Sequence, residues 1–229
     1  SRRRHTRYGT VTGVQTCALP IFLGQKRASC GDAKMLYEGL EQIRNKLPFQ
    51  IQNLQFNMLN SHDIHRFYNL KPFAIGKHRL AAILLLTYPG VPCIYYGDEI
   101  ALDGHTRTNE GYRFPMNWAH QNTTRPLFRM YAKLSHLRSE SQTLKYGGYR
   151  TLYADGGVFA YARFLGGECI ISIASNELEQ RHIKINIKLL KPLKSNELIE
   201  LFGRHSPVSA SKNIIEFDVP PNDGLIFKN

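Results

Sequence analysis

The chain has 229 residues, of which 42% are hydrophobic and 21% are charged, a composition typical of an ordinary globular protein. That balance excludes intrinsic disorder and provides enough apolar material for a sizeable core. The formal net charge is +12, but no block of like charge follows the four arginines near the start, Arg2, Arg3, Arg4 and Arg7. The charge therefore favours a solvated surface over a nucleic-acid groove.

The cysteines and the apolar runs limit the class of protein further. The four cysteines show no paired or metal-type spacing, so neither a disulfide framework nor a zinc site is predicted: Cys17, Cys30, Cys93 and Cys169. This usage favours a reducing, cytoplasmic setting. The longest apolar run, residues 80–88, is far shorter than the roughly 20 residues that a membrane span needs. We therefore expect no membrane partner.

Residues 1–21 differ from the rest of the chain. Residues 9–16 are too polar for the apolar region of an export signal. Residues 11–21, VTGVQTCALPI, resemble the translation of a sequencing-library adapter, so we expect residues 1–21 to be a non-native tail. A natural disordered basic tail is the alternative.

Two strand-and-helix units are predicted next. Asp32 is a plausible N-cap for an amphipathic helix whose apolar residues repeat from Leu36 to Leu47, and Pro48 stops it. Residues 54–59 predict a short buried strand, and residues 75–87 predict a helix that is apolar nearly all round. A second buried strand follows at residues 92–96.

The last third of the chain changes from helical to alternating periodicity. Leu127, Met130, Tyr131, Leu134 and Leu137 predict one further amphipathic helix. After Gly147 and Gly148, seven alternating runs separated by turn residues predict an antiparallel β-sandwich: residues 149–153, 158–164, 169–174, 182–187, 197–202, 214–219 and 225–227.

Polar side chains follow the first predicted strand within residues 57–67, NMLNSHDIHRF. A His-Asp pair alone is weak evidence, because an Asp at a strand end is usually a cap or a loop acceptor. Here Asp63 comes directly after an apolar strand, beside His62 and shortly before Arg66. An acceptor, a donor and a fixed cation at one strand end form the set of groups that a sugar ring needs.

Together with residues 88–99, YPGVPCIYYGDE, this segment resembles the last two barrel strands of the α-amylase superfamily of glycoside hydrolases. The resemblance implies that residues 22–146 are the C-terminal part of a (β/α)8 barrel, its last two βα units. Residues 147–229 would be the following β-sandwich domain. A complete barrel needs roughly 250 residues and does not fit in this chain.

The resemblance also implies roles for individual residues. Family members use three carboxylates, and Asp63 matches the one that stabilises the transition state, while His62 matches a residue that binds a substrate hydroxyl. Arg66 matches a usual family position, where it binds substrate or pairs with a loop carboxylate. Within residues 109–118, NEGYRFPMNW, Arg113 and Trp118 match cleft positions, although burial between domains is an alternative for Trp118.

The order of the motifs is similar to that of the maltodextrin glucosidase and cyclomaltodextrinase branch. The implied activity is retaining hydrolysis of α-1,4-glucosidic bonds in maltodextrins or related α-glucans. We expect no cofactor, and no metal-ligating residues are predicted in this chain. The nucleophile and the acid/base have no match in residues 22–55. We therefore expect the chain to be a C-terminal fragment of such an enzyme that is inactive alone.

Three alternatives remain at the level of sequence. Asp98 and Glu99 look like a catalytic pair, but neighbouring residues on an extended strand point to opposite faces, so we expect structural roles for both. A noncatalytic carbohydrate-binding module on the sandwich is a second hypothesis. A basic nucleic-acid binder is a third, although the sequence has no recognisable binding motif.

Overall fold

The structure is a computed structural model that describes residues 32–64, 66–69, 75–104, 109–116, 118, 125–190, 193–202 and 205–229. The tail predicted at residues 1–21 lies outside these ranges, as do Cys17 and Cys30.

The first helix, α1 (Ala33–Arg44), begins as the sequence predicts and ends earlier. Asp32 accepts a hydrogen bond from the Lys34 amide at 2.7 Å, which confirms the N-cap. The helix was expected to reach residue 47. It ends at Arg44 because the Gln52 side chain, on the short helix α2 (Phe49–Gln52), donates to the carbonyls of Arg44 and Leu47 at 3.0 and 2.8 Å.

A parallel strand pair joined by one helix follows. Strand β1 (Phe56–Met58) pairs with β2 (Val91–Cys93), and helix α3 (Ile75–Thr87) crosses between them with the bounds that the sequence predicts. This is the βαβ arrangement of parallel sheets. Both strands are shorter than predicted, and the prediction that they are buried is wrong. Phe56 and Val91 are exposed because the described part of the chain places no further strand beside this pair.

Two further helices complete the first half. Helix α4 (Pro126–Glu140) packs on α3 with the predicted apolar residues buried or half-buried, and α5 (Gln142–Tyr146) follows after Ser141, which accepts from the Leu144 amide at 3.1 Å. None of the helices in the described part of the chain is long and apolar enough to cross a membrane.

The C-terminal part forms two antiparallel sheets. The strands are β3 (Gly148–Asp155), β4 (Val158–Leu165), β5 (Glu168–Ser175), β6 (Arg181–Asn186), β7 (Glu197–Glu200), β8 (Val208–Ser209), β9 (Ile214–Val219) and β10 (Asp223–Lys228). Six of them form one sheet in the order β3-β4-β5-β10-β7-β8, and β6 pairs with β9. The seven predicted runs are all strands, and β8 is an addition that a two-residue alternation could not signal.

The six-stranded sheet carries an apolar core on each face. Along β4, Val158 and Ala160 belong to the cluster against β6 and β9, whereas Phe159 and Tyr161 belong to the cluster against the helices. This alternation is the period of two that a strand imposes. The other side of the sandwich is therefore covered by α1, α3 and α5, an arrangement that the sequence does not predict.

Gly90 supplies the first test of this fold. Its φ is +116°, and a Cβ atom would lie 2.4 Å from Asn57 Nδ2 and 2.6 Å from the Gln55 carbonyl oxygen. Gly90→Ala is expected to lower the free energy of unfolding by about 3 kcal/mol, measured by urea denaturation.

Gly166→Ala is the matched control. Gly166 also has a positive φ, +55°, but open space surrounds it, so its substitution is expected to cost only about 1 kcal/mol. Equal losses in the two variants would show that the close approach at Gly90 contributes nothing.

Candidate functional site

The site is built at the carboxyl end of the parallel strand pair. β1 and β2 run in the same direction with Met58 opposite Cys93, so the residues that follow them meet at one edge. Asn60 to Asp63 follow β1, and Tyr95 to Asp98 follow β2. This edge brings together the two motifs that are 30 or more residues apart in the sequence.

Asp63 lies at the exposed centre of this edge. Arg113 Nη2 donates to Asp63 Oδ1 at 3.2 Å, and Arg113 Nε donates to the His62 carbonyl, also at 3.2 Å. His62 Nε2 lies 3.3 Å from Asp63 Oδ2. The side chains of Asp63 and His62 are 68% and 61% exposed, so a carboxylate and an imidazole, steadied by a guanidinium, face the solvent together.

Two tyrosines hold Arg113 beside Asp63. Arg113 ends a short 3-10 helix, Asn109–Arg113. Tyr95 donates its hydroxyl proton to the Tyr112 carbonyl at 3.2 Å, and Tyr96 donates to the Phe114 carbonyl at 2.8 Å. These hydrogen bonds fix the backbone on both sides of Arg113. The sequence indicates that the motif containing Tyr95 and Tyr96 is a scaffold for the site, with strand core as the alternative, but it does not signal which carbonyls the two hydroxyls contact.

Arg66 is buried rather than open to a ligand. Its relative exposure is 1%, its Nη1 donates to the Tyr96 carbonyl, and its guanidinium carbon lies 4.2 and 4.4 Å from the ring centroids of Tyr95 and Tyr96. Arg66 Nη1 is also 3.9 Å from Asp98 Oδ1. Of the two roles that the sequence allows for Arg66, this position favours pairing with a carboxylate.

Asp98 is the buried acid of the site. It is 3% exposed and accepts from Asn60 Nδ2 at 2.9 Å. Burial raises its pKa to about 7, against the opposing effects of the Asn60 hydrogen bond and the Arg66 charge. The adjacent Glu99 caps the turn through its Oε2, which accepts from the Gly97 amide at 2.9 Å.

The geometric reason expected for Asp98 and Glu99 is wrong, because the two residues do not lie on an extended strand. They begin a 3-10 helix, Asp98–Ile100. Each carboxylate nevertheless has a structural role, because Asp98 is buried against Asn60 and Arg66 and Glu99 accepts from the Gly97 amide.

Trp118 is 71% exposed, so the alternative in which it is buried between domains is not observed. Its amide donates to the Met116 carbonyl at 3.1 Å. An exposed indole ring close in sequence to Arg113 is free to stack on a ligand. Among the described residues, no group of three or more His, Cys, Asp or Glu side chains is arranged to hold a metal ion.

An exposed carboxylate at the carboxyl ends of parallel strands that are connected by a helix is typical of α/β-barrel enzymes. Residues 23–117 match the family model for the α-amylase catalytic domain. This segment of the chain is thus similar to the catalytic domain of the α-amylase family.

Known proteins extend the likeness beyond that segment. A cyclomaltodextrinase from Thermoanaerobacter pseudethanolicus is 36% identical over 136 residues, which are 59% of this chain and 23% of that protein. Neopullulanase 2 from Thermoactinomyces vulgaris is 32% identical over 150 residues, 65% of this chain and 25% of that one.

Among solved structures, the debranching enzyme from Nostoc punctiforme matches with a TM-score of 0.79 and 23% identity, over 94% of this chain and 46% of that one. The chain thus shares its fold with about half of that protein. It spans about a quarter of the length of the two curated relatives named above.

The two arginines of the site differ in what they contribute to stability. Arg66→Ala leaves Asp98 buried without a charge partner, so we expect a loss of about 3 kcal/mol in the free energy of unfolding at pH 8. Arg113→Ala removes an ion pair between exposed side chains and is expected to change that free energy by less than about 0.5 kcal/mol. Urea denaturation of both variants measures the difference, and similar losses would contradict the contrast between buried and exposed charge.

Proposed function

We propose that this chain is part of a glycoside hydrolase that acts on α-1,4-glucosidic bonds of maltodextrins or related α-glucans. The observation that carries the proposal is the exposed group of Asp63, His62 and Arg113 at the carboxyl edge of β1 and β2, inside the segment that matches the α-amylase family. The relatives support the class of substrate, since their names refer to cyclomaltodextrin and pullulan.

In this proposal Asp63 stabilises the transition state. Cleavage of a glucosidic bond passes through an oxocarbenium-like sugar that carries positive charge and a distorted ring. A carboxylate held in place by Arg113 favours that charge and accepts hydrogen bonds from ring hydroxyls. Interactions that strengthen as the ring distorts raise kcat, whereas interactions that are equally strong in the bound substrate and in the transition state do not.

The surrounding residues bind the substrate or position the strand end. His62 donates to a substrate hydroxyl, and Trp118 stacks on a sugar face. Arg113 contacts substrate beside Asp63, and Arg66 acts from beneath by holding the strand end. In the family that the sequence resembles, a nucleophilic Asp attacks the anomeric carbon while an acid/base Glu protonates the leaving oxygen. Retention then follows from two displacements at that carbon.

Residues 22–146 would be the barrel part and residues 147–229 the sandwich domain. The chain holds one of the three implied carboxylates, Asp63, so the 229-residue polypeptide would not hydrolyse α-glucosides by itself. Cys93 and Cys169 carry free thiols, which supports a reducing, cytoplasmic setting.

The proposal is tested in two forms of the protein. The purified chain is expected to leave a fluorogenic α-maltoside intact. A chimera that joins the chain to the preceding barrel segments of the cyclomaltodextrinase relative is expected to hydrolyse it, and Asp63→Asn in that chimera should lower kcat about a thousandfold.

Asp218→Asn is the matched control, because Asp218 is an exposed carboxylate of β9 that pairs with His182, remote in the fold from the strand edge. It should leave kcat unchanged. Turnover by the chain alone that Asp63→Asn abolishes would contradict the need for the other carboxylates. An active chimera that tolerates Asp63→Asn would contradict the role of Asp63.

A further inference from the structure

The segment that carries His62 and Asp63 is held at both ends by a single residue of the neighbouring strand end. Asn60, three residues before Asp63, donates to Asp98 Oδ1 at 2.9 Å. Arg66, three residues after Asp63, has its Nη1 3.9 Å from the same oxygen. Between these two attachments, the side chains of His62 and Asp63 are open to solvent.

The attachments lie in a buried polar cluster, which we define as Asn60, Arg66 and Asp98. Their relative exposures are 1%, 1% and 3%. Within the described part of the chain, Asp98 Oδ2, Asn60 Oδ1 and the Nε and Nη2 atoms of Arg66 have no hydrogen-bond partner. A buried cluster with unused donors and acceptors is sensitive to a change in charge, since little around it can compensate.

The groups that face Asp98 come from each element packed against it. Arg66 and Asn60 lie on the strand-end segment, Glu99 is adjacent on the 3-10 helix, Cys93 is on β2, and Tyr131 is on α4. Arg66 is the one cation among these groups, and it is shared with the rings of Tyr95 and Tyr96.

We propose that Asp98 is a positioning residue for Asp63, and that the ionisation state of Asp98 sets how firmly residues 60–64 are held at the strand edge. The consequence for catalysis rests on the proposed function. The holding of the segment rests only on the contacts of Asp98 and does not depend on the proposed function.

The direction of the pH dependence follows from linkage. Burial raises the pKa of Asp98 to about 7 in the folded chain, whereas an Asp exposed by local opening of the segment returns towards about 3.9. The opened form therefore gains as the pH rises from about 4 to about 7, and the gain levels off above that. The segment is held most firmly in acid, and its opening equilibrium rises at least about tenfold between pH 5 and pH 8.

Hydrogen exchange of the full chain tests this inference. The protection of the amides in residues 57–63 is measured by mass spectrometry between pH 5 and pH 8, after correction for the intrinsic pH dependence of exchange. Strand β4 serves as an internal reference for global unfolding. We expect protection of residues 57–63 to fall with rising pH in the wild-type chain, and to be independent of pH in Asp98→Asn.

Asp98→Asn is close in shape to the protonated acid and keeps an oxygen that accepts from Asn60. Glu99→Gln is the matched control, because it removes the adjacent charge and keeps the acceptor for the Gly97 amide. It should retain the wild-type slope, with a slightly lower midpoint, since the Glu99 charge contributes to the raised pKa of Asp98.

The inference would be overturned if protection of residues 57–63 had the same pH dependence in Asp98→Asn as in the wild-type chain. It would also be overturned if those residues were unprotected at every pH in the wild-type chain. Neither result bears on hydrolysis, which the chimera measures separately. An inactive chimera with the expected exchange profile would remove the proposed function and leave the role of Asp98 intact.

Discussion

The carboxyl end of α3 is the point on which the rest of the structure depends. This helix is buried along almost its whole length and has no basic residue in its last turn. Its terminal carbonyls would lie buried without partners, a cost comparable to several lost hydrogen bonds. Two arginines from distant elements supply the donors, Arg138 of α4 and Arg163 of β4.

Each arginine connects the helix end to a different layer. Arg138 donates to the Leu86 and Tyr88 carbonyls at 3.4 and 3.0 Å, and also to the Gly90 carbonyl. Arg163 donates to the Thr87 carbonyl at 3.3 Å and to the Gly147 carbonyl at 2.9 Å. Burial lowers the pKa of Arg163 to about 10, so Arg163 remains a cation at neutral pH. Its charge interacts favourably with the negative end of the helix dipole.

This arrangement reaches the site through the backbone that follows α3. Gly90 turns the chain into β2, and the Asn57 side chain donates to the Pro89 carbonyl at 2.8 Å, which aligns β1 with that turn. β2 then leads to Tyr95, Tyr96 and Asp98. The position of the exposed carboxylate of Asp63 is thus set by a series of backbone carbonyls and buried donors, beginning at the helix end.

The sequence predicts the elements whose burial is uniform and whose ends carry strong breakers. α3 is apolar nearly all round and stops before Pro89 and Gly90, and the burial of β9 alternates strictly, so the bounds of both were predictable. The position of Asp63 after a short strand was equally visible. The partners of buried polar groups could not be predicted, because a side chain such as Arg66 or Tyr96 has the same local sequence pattern whether it binds a ligand or a carbonyl. The covering of the sheet by α1 was hidden for the same reason, since an amphipathic stripe does not specify the surface that it meets.

The ring cluster at the junction has a consequence for how such chains diversify. Tyr88 follows α3, whereas Tyr149 and Tyr161 belong to the sheet, and their centroids lie 5.2 to 5.8 Å apart, with Arg44 of α1 4.1 Å from the Tyr149 ring centroid. Packing therefore continues across residue 147, where the sequence predicts a domain boundary. Recombination that exchanged the C-terminal sheet for a foreign one would have to preserve these rings and Arg163, so the two parts are constrained to be inherited together.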